Sequence, residues 1–127
     1  MNSANFAQPL TGAGTIQGKA ADIFPFLEAY IAKKEKRIAD IEQVVARYEA
    51  KRQKEEQAYQ AMSPLRRLLA GKKPDHHLAV EYIHYVKKPL EQVRQLRGEI
   101  EAARAILAES KPGDVISVSD QLAKDLF

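Results

Sequence analysis

Three titratable side chains, His77, Glu81 and His84, are spaced four and then three residues apart, a spacing that lines them along one face of a helix. Imidazole and carboxylate groups so aligned are donor types that hold zinc or a similar divalent ion. A single helix supplies at most three such ligands and no outer shell to fix the imidazoles. The same three residues make an ordinary solvated stripe, and no metal site is assigned. GAGTIQGK, residues 12–19, offers glycines followed by Lys19. Its spacing from Gly12 to Gly18-Lys19 is one residue longer than a phosphate-binding loop requires, and Ala20 stands where Ser or Thr would bind magnesium. Glu55-Glu56 and Glu99/Glu101 are carboxylate pairs that a helix displays to solvent, with nothing to set two of them in a cleft. There is no nucleophile elbow and no HExxH. The residues therefore predict no enzyme, no catalytic residue and no cofactor.

The strongest binding signal is basic. Arg66, Arg67, Lys72 and Lys73 face only Asp75 between Ser63 and His77, while the other 16 basic and 16 acidic residues cancel, so the whole formal charge of +3 collects there. With His76 and His77 beside it, this cluster is suited to phosphates, with an affinity that falls as salt rises. Leu65, Leu68 and Leu69 share the segment and equally suit a protein groove or an acidic surface. The candidate contact residues of this segment are Leu65, Arg66, Arg67, Leu68, Lys72 and Lys73. A solvated turn kept soluble by its lysines is the plainer alternative.

The elements that position this cluster are two long helices. Apolar residues step by three and four along Ile31, Ile38, Ile41, Val45, Tyr48 and Tyr59, and again along Ala79, Leu90, Val93, Leu96, Ile100 and Leu107. Ile31 with Leu107, Ile38 with Ile100, Val45 with Val93, Tyr48 with Leu90 and Tyr59 with Ala79 share a residue-number sum of 138. A constant sum is the signature of antiparallel helices, and the heptad-like step gives them a coiled-coil seam. The expected fold is an all-α antiparallel hairpin over residues 22–110, with one helix at 22–62, a tip at 63–75 and a second helix at 76–110. Asp22 is the expected cap of the first helix, with Pro25 tolerated in its first turn. Ser63-Pro64 starts a short tip helix that Gly71 ends, and Asp75 is expected to cap the second long helix. Pro89 is expected to kink that helix, whose seam also takes Tyr82, Val86 and either Pro89 or Leu90. Gly98 weakens it slightly, unless another helix approaches there.

Residues 1–21 read as a flexible arm, rich in glycine and threonine and anchored only by Phe6, Leu10 and Ile16. Residues 111–127 read as a tail: the turn Lys111–Asp114, a β-like run at 115–118, and a final helix at 121–127 capped by Ser119 or Asp120. An isolated strand is unstable in water, so this run is expected to pair, with the arm around Thr15-Ile16 or with a neighbouring subunit. Val115, Ile116, Val118, Leu122 and Leu126 are the candidate assembly residues.

The seam carries charges. Lys34 is expected opposite Arg104, a repulsive pairing, and Arg52 and Glu55 lie near Val86 and Tyr82. Phe26, Val44, Ile83, Tyr85 and Ile106 fall off the seam and suggest a second contact surface. Extended two-helix proteins bury little on their own, so self-association or a partner chain is expected. Cysteine is absent, which excludes disulfides and thiolate metal sites. No stretch approaches the roughly 20 apolar residues of a membrane span, and the N-terminus does not read as a signal peptide. The cytoplasm is the expected location.

The segment Pro112–Phe127, PGDVISVSDQLAKDLF, resembles a turn–strand–helix pattern in small tailed-phage and prophage virion-associated proteins. It is carried by Pro112, Gly113 and Asp114, by Val115, Ile116 and Val118, by the acidic cap Asp120, and by Ala123 and Leu126. In that pattern a glycine and further residues follow the helix, whereas this sequence stops at Phe127. The resemblance covers 16 of 127 residues and leaves the hairpin out. It implies a virion or assembly component, with the virion as location. The leading expectation is a non-enzymatic structural or assembly-interaction protein working as a homo-oligomer with other protein subunits. The alternatives are a nucleic-acid-binding module using the basic tip and a small helical secretion or assembly chaperone.

Overall fold

The computed structural model describes residues 8–9 and 15–126. Expectations for the arm at residues 1–7 and 10–14, including Phe6, Leu10, Gly12 and Gly14, and for Phe127, fall outside them. In chain order the elements are β1 (Gln8–Pro9), β2 (Thr15–Lys19), α1 (Ala20–Gln60), α2 (Pro64–Ala70), α3 (Asp75–Tyr82), a π turn (Ile83–Lys87), α4 (Lys88–Glu109), β3 (Val115–Ser119) and α5 (Asp120–Leu126). Helix dominates, and the class is an all-α helical hairpin as expected. The chain divides into two compact units, Met1–Lys36 with Arg97–Phe127, and Arg37–Leu96.

In the first unit, β2 lies between β1 and β3 and pairs antiparallel with both. Its register with β3 sets Ile16 opposite Val118 and Lys19 opposite Val115. Of the two partners expected for the tail strand, the arm around Thr15-Ile16 or a neighbouring subunit, it pairs with the first. Within the expected arm of 1–21, residues 8–9 and 15–19 are strand, and α1 begins at Ala20 rather than Asp22. Asp22 sits inside the first turn. The free N–H groups at the helix start are met by backbone instead, Ala20 donating to the Asp114 carbonyl at 2.8 Å and Ala21 to that of Pro112 at 3.0 Å. The 111–114 turn that does this is itself closed by Lys111 N–H on Asp114 Oδ2 at 2.7 Å. The tail therefore supplies the cap, satisfying donors that a helix end otherwise leaves open.

Ala20, Ile23, Leu27, Tyr30, Ile31, Ile100, Ala103, Val118 and Ala123 form the buried core of this unit. Each large aliphatic among them contributes about 1.5–3 kcal/mol relative to exposure. Lys34 corrects the expected repulsion with Arg104. Its ammonium pairs with Glu99 at 3.2 Å and reaches Asp125 at 4.0 Å, and Arg104 pairs with Glu35 at 2.6 Å. Each cation has an acidic residue within a helical turn of the expected contact, and long flexible stems reach it. Gly98 faces open space, so no helix approaches it and its presence is simple tolerance.

In the second unit the buried residues are Ile38, Ile41, Val45, Val86, Val93 and Leu96. Its returning strand of helix is not the single kinked helix expected. Lys88 N–H bonds to the Ile83 carbonyl five residues back, which defines the π turn. Pro89 supplies the reason: it has no N–H, and in a regular helix its ring presses on the carbonyl four residues earlier. Widening the turn ahead of it relieves that contact at the cost of one extra residue in the turn. The extra residue moves the seam. Ahead of the π turn Ala79 and Tyr82 are exposed while Leu78 and Glu81 are half-buried, and of the two seam positions expected after it Pro89 is half-buried and Leu90 exposed.

Candidate functional site

The tip is built by local signals. Ser63 Oγ accepts from Arg66 N–H at 3.3 Å, Pro64 opens α2, and Gly71 closes it with φ of 75° and an N–H donated to the Arg67 carbonyl. Left-handed backbone at this position is what makes glycine the fitting residue. Asp75 differs from expectation: it is the first residue of α3 and makes no side-chain cap, with Pro74 before it. Its carboxylate still faces the positive end of the helix dipole.

The six candidate contact residues fall into two groups. Leu65 and Leu68 are 67% and 81% exposed, with Leu69 beside them at 80%, and no residue of α2 is buried. The cations are mostly engaged. Arg67 Nε donates to the Met62 carbonyl at 3.0 Å and is half-buried. Lys73 Nζ meets Glu81 Oε2 at 2.9 Å, and Lys72 Nζ lies 5.9 Å from the centre of the Tyr59 ring. Arg66 is exposed.

Behind the tip is a polar network that sequence reasoning missed. The Tyr48 hydroxyl donates to Glu81 Oε1 at 3.0 Å, and the Tyr48 ring stacks on Tyr85 at 4.8 Å. The hydrogen bond from Lys73, and then that from Tyr48, hold the Glu81 carboxyl below the usual glutamate range. Burial, followed by the Glu81 bond, raises the Tyr48 phenol. Glu56 is likewise held low, first by a hydrogen bond from Gln60 and then by the charge of Lys72. Arg52, Glu55, Glu56, Tyr59, Lys72 and Lys73 line a shallow recess of mixed charge.

His77, Glu81 and His84 are not brought together as ligands. Both Glu81 oxygens are taken, the His84 ring stands edge-on to Tyr85 at 4.7 Å, and His77 lies against His76. Among the described residues no group of His, Asp and Glu is arranged to hold a metal ion.

The tail candidates lie in the first unit. Val118 is buried, Ile116, Leu122 and Leu126 are half-buried, and Val115 is exposed. Ser119 Oγ accepts from Leu122 N–H at 3.1 Å and so caps α5. Ala123, passed over as an assembly residue, is buried. Of the off-seam residues, Phe26, Val44, Ile83 and Tyr85 are exposed and Ile106 is half-buried. No described helix is long and apolar enough to cross a membrane. Comparison with protein-family models, with curated proteins and with solved structures returned no match.

Proposed function

We propose that this chain is a non-enzymatic structural or assembly-interaction protein that works as an oligomer, its hairpin acting as a spacer between contact surfaces. The observation that carries this reading lies in the unit Arg37–Leu96. Val44, Val80, Tyr82, Ile83, Tyr85 and Leu90 are all exposed large apolar residues there, beside a core of only six. Scattered exposed apolar residues are ordinary, but this many beside so small a core leaves much to be gained by association. An assembly role is also what the C-terminal resemblance implies.

The test is sedimentation velocity on the full chain and on a variant carrying Val80→Ser, Ile83→Ser and Leu90→Ser. All three side chains are exposed, so the hairpin folds without them. The variant is expected to need at least tenfold more protein to reach the same associated fraction, about 1.4 kcal/mol. Identical association of variant and wild type removes this face from the contact.

A further inference from the structure

The tip wears its apolar residues on the outside. Leu65, Leu68 and Leu69 are spaced to share one face of α2, and they are the most exposed leucines described, whereas Arg67 is half-buried against the Met62 carbonyl. A short helix in a self-sufficient protein is turned the other way, leucines in and arginines out. Apart from Arg67 and from Lys73, which is bonded to the Glu81 carboxylate, the cations of the tip, Arg66 and Lys72, flank this leucine face in sequence, and the formal positive excess of the whole chain is concentrated here.

From this arrangement we infer that the tip seats in the headgroup layer of a bilayer carrying anionic lipid, its three leucines reaching the acyl boundary and its cations meeting the lipid charges. This goes beyond the oligomer reading and rests on different residues. Nucleic acid is a poorer fit because a phosphate backbone offers three exposed leucines nothing apolar to meet, and with Arg67 and Lys73 committed to Met62 and Glu81 two cations alone give little phosphate affinity. A protein groove is a poorer fit because a standard interface takes about 20–30 residues from each side, and α2 offers seven. A bilayer needs no matching groove. It takes apolar side chains singly and adds attraction from nearby Lys and Arg that salt weakens.

The test is co-sedimentation of the full chain with phosphatidylcholine vesicles, alone or with about one third phosphatidylserine, at low and physiological salt. Leu68→Ser, Leu69→Ser and the double change Arg66→Ser with Lys72→Ser are compared, with far-UV circular dichroism to verify the fold. The wild type is expected to bind the anionic vesicles, to bind the neutral ones weakly, and to release as salt rises. Each leucine change is expected to weaken partitioning on the order of tenfold while leaving the sedimentation coefficient in the absence of vesicles unchanged. Failure of the wild type to bind anionic vesicles at low salt overturns the inference. So do leucine variants that bind as well as wild type, and so does retention on DNA without retention on vesicles. An altered oligomer in these variants overturns the separation of tip from assembly face, and loss of self-association in the wild type bears on the oligomer reading alone.

Discussion

Val118→Ala and Val115→Ala are the same chemical change made three residues apart on β3, and the structure assigns them very different costs. Val118 is 2% exposed and Val115 is 67% exposed. Successive side chains of a strand point to opposite faces, so the burial of one requires the exposure of the other. Removing two buried carbons costs about 0.8 kcal/mol each in transfer, and the cavity left behind raises the total to about 2 kcal/mol. At Val115 only strand preference is lost, within about 0.5 kcal/mol. Entropy of unfolding is about 2.1 cal/mol/K per residue, so over this chain the Val118 change lowers the melting temperature by about 7 °C. Urea denaturation followed at 222 nm measures both variants. A one-residue slip of β3 against β2 would exchange the two faces. A Val115→Ala cost equal to or greater than that of Val118→Ala refutes the register that pairs Ile16 with Val118.

Gly98→Ala is expected to stabilise by about 0.5–1 kcal/mol, because the site is helical and a Cβ meets open space; a lower melting temperature contradicts that packing. The Glu81 carboxyl is held below its ordinary value by Lys73 and Tyr48, so its contribution is complete above the unfolded glutamate range and is lost as pH falls through the lowered folded value. Glu81→Gln is therefore expected to destabilise at neutral pH and to match wild type in acid, below the folded value; a difference that persists unchanged there places the effect elsewhere.

Much of the fold was legible because its determinants are local or strictly periodic. Residues 26–62 contain neither glycine nor proline, and Ile31, Ile38, Ile41 and Val45, picked out by the three–four step, are all buried. Ser63, Pro64 and Gly71 mark the ends of α2 because each solves a backbone problem on the spot. That β3 must pair followed from the inability of a lone strand to persist, which left the Thr15-Ile16 segment and a neighbouring subunit as partners; the structure shows the former. What was not legible begins at Pro89. A fixed helical period carries no provision for a turn with an extra residue, so it set Tyr82 in the seam. Beside the π turn Tyr82 is exposed and Glu81 half-buried, and Tyr48 meets Tyr85 and Glu81. The engagement of Lys73 by Glu81 also alters the character of the tip, from a free cationic cluster to exposed leucines with fewer available charges. The cap of α1 was missed for a different reason: its acceptors are backbone carbonyls of Pro112 and Asp114, and carbonyl groups leave no trace in residue type.

Sedimentation velocity of the unmodified chain over a roughly hundredfold range of concentration tests the assembly account most directly. The account predicts species heavier than 14.2 kDa whose fraction rises with concentration. A 14.2 kDa monomer throughout contradicts it.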